Sequence, residues 1–121
     1  VIRIVIPMEP RTVNHYVKHT RAGRHYKTAE AKAFEEVGAM CCRGVAISAN
    51  AYSVRIDVYQ GAGKKGDIDG YAKQALDILA TNGVLLDKKG HRSTDAHVVE
   101  LHMTKQRDAK NPRTEITVTE A

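Results

Sequence analysis

The chain predicts an α+β fold, an α/β sandwich in which a mixed β-sheet carries two helices on one face. Two kinds of pattern carry the prediction. AYSVRIDVYQG alternates apolar and polar residues strictly and VIRIVI does so in part, whereas TAEAKAFEEVGAMCC and IDGYAKQALDILATNG place apolar residues at helical spacing. The order of strand, helix, strand, helix and then further strands suits two helices packed on one sheet. With 121 residues, 42% hydrophobic and 27% charged, one domain spanning residues 1–121 with a single core is expected.

The elements follow in order. VIRIVI places Ile2, Ile4 and Ile6 on one face, and Pro7 and Pro10 stop the strand. Residues 8–27 read as a loop. The first helix starts at Thr28, a plausible N-cap, presents Phe34, Val37 and Cys41, and ends near Gly44. In AYSVRIDVYQG, Tyr52, Val54, Ile56 and Val58 point inward and Ser53, Arg55 and Asp57 outward. A glycine-rich basic loop, GAGKKGD, leads into the second helix, which Asn82 and Gly83 close. VLL is a short strand and DKKGHRSTD a charged loop. AHVVELHMTKQ and RTEITVTE are two more strands, and RDAKNP between them reads as a hairpin connection.

Nineteen Lys and Arg against fourteen Asp and Glu give a formal charge of +5, which suits a polyanionic partner. The distribution says more than the total. Between Glu9 and Glu30 there is no acid, while Arg11, Lys18, Arg21, Arg24 and Lys27 interleave with His15, Tyr16, His19, His25 and Tyr26. Together with Lys64 and Lys65 these form a candidate nucleic-acid surface, the plainer alternative being a solvated loop. The apolar runs are too short to cross a bilayer and no signal-peptide pattern is present, so a cytoplasmic protein without membrane contact is expected. Cys41 and Cys42 are adjacent and are expected to be free, mostly buried thiols. Neither a P-loop nor a G-x-G-x-x-G is present, and no nucleotide cofactor is expected.

The acids concentrate in KKGDIDGYAKQALD, residues 64–77. Four helical residues turn the chain by about 400°, so Asp69, Lys73 and Asp77 form one slowly drifting row. Ile68, Ala72, Ala75, Leu76 and Leu79 form the apolar stripe beside it. One reading makes Asp67 an N-cap and the row a surface ladder of ion pairs. The other notes that Asp87 and Asp95 return after the next strand. Several carboxylates near a basic loop suit Mg²⁺, which binds through few carboxylates and bridges to phosphate oxygens, and such a site in a basic protein suits phosphodiester cleavage.

Several separated pieces of the chain, in the same order, resemble the RusA family of Holliday junction resolvases over nearly its whole length. The family's basic run, D-x-D-N, lysine and later aspartate are matched by KKGDIDGYAKQALD, placing Asp67, Asp69, Lys73 and Asp77 at its positions. VLLD and DAHVV are similar to its apolar strand, acidic pair and A-Q-V-V, IPMEPRTVNHYVKHTRAGRHYKTAEAKAF to its proline-rich strand exit and basic arm, and TEITVTE to its closing strand. Two departures stand out. Gly70 replaces the asparagine, and KKGHRST separates the two acids that the family holds together.

The resemblance implies a homodimer that binds four-way junction DNA and makes paired, symmetric nicks with Mg²⁺, Mn²⁺ being a substitute, in recombination and repair. It implies that Asp67, Asp69 and Asp95 hold the metal, with Asp87 the rival for the third position. Lys73 would stabilise the scissile phosphate, Asp77 would orient Lys73, and the products would be a 5′-phosphate and a 3′-hydroxyl. A bacterial, phage or prophage origin fits. The rival functions are a junction-binding protein of the same fold that does not cut, and an RNA-binding module, for which one Phe and no Trp supply few stacking side chains.

Overall fold

The structure is a computed structural model that describes residues 1–10, 28–61 and 67–121 in full, and the backbone of residues 17–19 and 25–27. Strand β1 (Ile2–Ile6) is followed by β2 (Val17–His19) and β3 (His25–Lys27), then helix α1 (Ala29–Cys41), β4 (Ile47–Ser48) and β5 (Tyr52–Gln60). A 3-10 turn at Ile68–Tyr71 runs into helix α2 (Ala72–Thr81), and β6 (Leu85–Leu86) follows. A second 3-10 turn at Asp95–His97 opens β7 (Val98–Arg107), and β8 (Arg113–Glu120) closes the fold.

The main sheet has the order β1-β8-β5-β7. β8 lies antiparallel to both β1 and β5, whereas β7 runs parallel to β5, so the sheet is mixed as expected. Alternation along β5 survives intact: Tyr52, Val54, Ile56 and Val58 are buried, and Gln60 continues the inward set. They meet Ile4, Ile6, Ile116 and Val118 from neighbouring strands and Phe34, Ala75, Ile78 and Leu79 from the helices in one hydrophobic cluster. Both helices therefore cover the same face. Among the described residues no helix is long and apolar enough to cross a membrane.

The helix ends follow their local chemistry. Thr28 caps α1, its hydroxyl oxygen accepting the Ala31 N–H at 3.2 Å, and the chain leaves the helix at Gly44 with φ +71°. The two helices touch at Gly38, where an added Cβ would lie 2.5 Å from Ile78 Cδ1. Beside that contact the buried Gln74 reaches from α2 to donate to the Ala31 carbonyl at 2.8 Å. Cys42 is buried and Cys41 half-buried, both free, and burial followed by the neighbouring Cys41 pushes the Cys42 thiol up to about 11.

Four expectations need correction. Residues 8–27 are not all loop: the backbones of β2 and β3 pair antiparallel, Val17 opposite Lys27 and His19 opposite His25, in strands too short for alternation to register. β4, which pairs parallel with β6, escapes notice for the same reason. RDAKNP does not close a hairpin, because β5 lies between β7 and β8; the connection passes the end of β5, where the Asp108 N–H donates to the Gln60 carbonyl at 2.9 Å. Finally, the second helix opens as a 3-10 turn and AHVV opens as another, so Ala96 and His97 precede the strand.

Candidate active site

The 3-10 turn at Ile68–Tyr71 changes what the acid row can do. A 3-10 turn repeats every three residues rather than every 3.6, so Asp69 leaves the line that an α-helix would have given it. Lys73 and Asp77, inside α2, do form the expected i,i+4 pair at 3.4 Å. Asp69 does not join it. Nor does Asp67 cap the helix: its side chain makes no capping hydrogen bond, although its carbonyl accepts the Gly70 N–H at 3.0 Å. Ile68 is 42% exposed, and the buried face of this segment is instead Tyr71, Gln74, Ala75, Ile78 and Leu79.

The turn is fixed from below. Gln60, at the end of β5, donates from Nε2 to the Tyr71 hydroxyl at 2.8 Å, both side chains being buried. This contact joins the central strand to the turn that carries Asp69. Sequence reasoning missed it, although alternation extended by one step beyond Val58 would have put a polar residue inward at position 60. The turn also packs against β7, and the second 3-10 turn packs against α2, so both acidic turns are held by these neighbouring elements.

The seven aspartates divide into two groups. Asp57, Asp77, Asp87 and Asp108 are engaged by protein groups. Asp67, Asp69 and Asp95 are exposed and have no hydrogen-bond or ion-pair partner among the described residues. Asp87 is the instructive contrast to Asp95. Its Oδ1 accepts the backbone N–H groups of His91 at 2.9 Å and Lys89 at 2.8 Å, which hold the 87–91 loop shut. Those bonds, His91's first, keep its carboxyl below the usual range against a smaller opposing effect of burial. At Asp95 the adjacent Thr94 hydroxyl takes the Ala96 N–H at 3.3 Å, and Ser93 Oγ lies 3.0 Å from His97 Nδ1, while the Asp95 carboxylate itself stays clear.

Among the described residues no three His, Cys, Asp or Glu side chains converge as a ready metal cluster. The donor set nevertheless fits a hard cation that takes few protein oxygens and keeps its own waters, and unengaged carboxylates are the chemistry such an ion needs. Arg11, Arg21, Arg24, Lys64 and Lys65 lie outside the described residues, as do the side chains of Lys18 and Lys27, so the structure leaves the candidate basic surface undescribed.

The family profile described as "Endodeoxyribonuclease RusA" matches residues 7–119. The crossover junction endodeoxyribonuclease RusA of Escherichia coli (strain K12) is 30% identical over 120 residues, covering 97% of this chain and 92% of that protein. The protein of the same name from Enterobacteria phage 82 matches equally, at 30% over 120 residues with the same coverage of 97% and 92%. The Shigella sonnei (strain Ss046) relative is 31% identical over 123 residues, again covering 97% and 92%. The mixed sheet with its two helices agrees with the fold expected of that family, and the chain belongs to the RusA family of endodeoxyribonucleases, enzymes that hydrolyse DNA.

Proposed function

We propose that this protein resolves four-way DNA junctions by Mg²⁺-dependent paired nicks, acting as a homodimer in recombination and repair. The observation that carries the reading, beside family membership, is that the three aspartates without a protein partner among the described residues, Asp67, Asp69 and Asp95, are the three that the resemblance carries onto the metal, with Asp87 the rival for the third position. A carboxylate that no described protein group engages keeps its oxygens open to a hard cation from outside. Asp87 is the weaker claimant to the third position because its Oδ1 already accepts two backbone N–H groups that close a loop.

When bound by Asp67, Asp69 and Asp95, Mg²⁺, or Mn²⁺ in its place, supplies charge neutralisation at the phosphate and activates water. The remaining roles belong to the chain. Lys73 offers its ammonium to the charge that develops on the scissile phosphate, and Asp77, 3.4 Å away, limits its wandering. Gln60 and Tyr71 hold the Asp69 turn against the end of β5. Water adds to phosphorus and gives up a proton, the bond to the 3′ oxygen breaks, and that oxygen takes a proton, leaving a 5′-phosphate and a 3′-hydroxyl. The basic side chains Arg11, Lys18, Arg21, Arg24, Lys27, Lys64 and Lys65 draw the junction's phosphates to the acids.

The test is cleavage of a labelled four-way junction and a matched linear duplex, with Mg²⁺ or EDTA, by wild type and by Asp69→Asn. Paired nicks confined to the junction, lost in EDTA and in the variant, are expected. Tight junction binding without cutting in any metal would leave a binding protein and sink the proposal.

A further inference from the structure

We propose that the loop joining Asp87 to Arg92 is a preformed finger that grips a phosphodiester backbone beside the cutting site, a contact that the contiguous acidic pair of the RusA pattern has no room for. The inference rests on the DNA-cutting reading above. Residues 88–94, KKGHRST, separate Asp87 from Asp95 and carry Lys88, Lys89, His91 and Arg92 with no acid among them.

The loop is built, not merely inserted. The Asp87 N–H donates to the His91 carbonyl at 2.8 Å, the Gly90 N–H to the Asp87 carbonyl at 3.0 Å, and the Ser93 N–H to the Leu85 carbonyl at 2.9 Å. The Asp87 carboxylate closes the turn from inside through Lys89 and His91 N–H, and Gly90 takes φ +84°, a conformation other residues rarely adopt. Its base is pinned as well: the buried Tyr52 hydroxyl donates to the Leu86 carbonyl, and Arg92 bridges to Leu86 and donates to the Thr81 carbonyl at 3.2 Å.

Its charges are unevenly engaged. Lys88 pairs with Glu120 at 3.1 Å, both exposed. The Lys89 ammonium is exposed and has no partner among the described residues. A cation on a rigid turn loses less conformational freedom on meeting a phosphate than one on a slack loop. Only residues 93 and 94 lie between the finger and the 3-10 turn that carries Asp95. A backbone held by Lys89 is thereby directed toward the turn that carries Asp95.

Binding to a four-way junction and to a matched linear duplex, measured in EDTA over a series of salt concentrations, tests this with Lys89→Glu and Asp87→Ala. Lys89→Glu is expected to weaken junction binding about tenfold and to lower the slope of log affinity against log salt by about 1. Asp87→Ala adds positive charge overall, yet is expected to weaken binding about threefold because the finger loses its clasp. Wild-type affinity and slope for Lys89→Glu, or tighter binding by Asp87→Ala, would overturn the finger even if wild type prefers the junction. A wild type without preference for branched DNA would sink the resolvase reading alone, provided Lys89→Glu still loses affinity for both DNAs. No binding of either DNA by wild type would overturn both.

Discussion

Two regions of this small protein treat their carboxylates in opposite ways. On the sheet face away from the helices, Asp57 and Glu115 sit directly opposite each other on β5 and β8, a like-charge placement that is unfavourable by itself. Arginines resolve it: Arg3 and Arg113 both pair with Glu115, and Arg55 with Asp57, which also accepts the Thr104 hydroxyl. Arg113 reaches on to Asp108 at 2.9 Å and lies 3.7 Å above the Tyr59 ring. At the two 3-10 turns, by contrast, Asp67, Asp69 and Asp95 are left without such relief among the described residues. An acid whose partners are already in the protein belongs to the fold, and one without them is open to something from outside.

The largest expected effect comes from the second region. Asp69→Asn and Asp95→Asn should each lower junction cleavage by about a thousandfold or more, the scale of losing a group that acts on the transition state, while melting no earlier than wild type in EDTA. Asp87→Asn should keep cleavage within about tenfold. A reversal between Asp87 and Asp95 in that assay would move the third ligand to Asp87 and break the comparison.

On the sheet face the signs exchange. Glu115→Gln removes a charged acceptor whose side chain is only 12% exposed and leaves Arg113, 19% exposed, short of a partner. Denaturant unfolding should show a loss of about 2 kcal/mol, with cleavage at saturating Mg²⁺ hardly altered. A variant as stable as wild type would mean that the network is ornamental.

The same network sets a pH window. Hydrogen bonds from Arg113, then from Arg3, hold the Glu115 carboxyl below its usual range. For Asp57 burial pulls upward, but Thr104 and Arg55 outweigh it and the net direction is again down. With both native pKa values depressed, the unfolded chain binds more protons as acid is added. This contribution is therefore complete above about pH 5 and is lost as pH falls through the native values, below about pH 4. Stability measured from pH 7 to pH 3 should fall more steeply in wild type than in a Glu115→Gln, Asp57→Asn double variant; parallel curves would count against the pairing.

The smallest effect is on melting. A metal that binds only the folded acids raises stability by mass action, about 1 kcal/mol when present at a few times its dissociation constant. Mg²⁺ should raise the melting temperature of wild type and of Glu115→Gln relative to EDTA, and leave Asp69→Asn unmoved. No shift in any of the three would remove the proposed metal site.

How much of this was legible from sequence depended on the length of each pattern. Nine residues of β5 and thirteen of α1 were enough for period and capping to show, and Thr28, Gly44, Asn82 and Gly83 marked helix ends where they were expected. Two- and three-residue strands carry no period, and parallel pairing between β5 and β7 has no local signature, so β2, β3, β4 and the sheet order were out of reach, whereas the apolar run VLL marked β6. At the site, the types and spacing of Asp67, Asp69, Lys73 and Asp95 were readable. Whether a carboxylate is already in use was not, because the groups that occupy Asp87 are backbone N–H groups, which every residue has.

The contact at Gly38 carries a consequence beyond stability. With no side chain on α1 at that point, α2 rests directly on its neighbour's backbone, and Ile78 fills the space a methyl group would need. Position 38 thus works as a shim beneath the helix that bears Lys73. An alanine methyl there must displace the Ile78 side chain, and where that side chain cannot yield it shifts α2, a misalignment that a hydrophobic core absorbs more readily than a phosphate-cutting site does. Cutting by Gly38→Ala, assayed well below its melting temperature, should therefore suffer more than its junction affinity; equal losses would show that the spacing of the helices is a matter of packing alone.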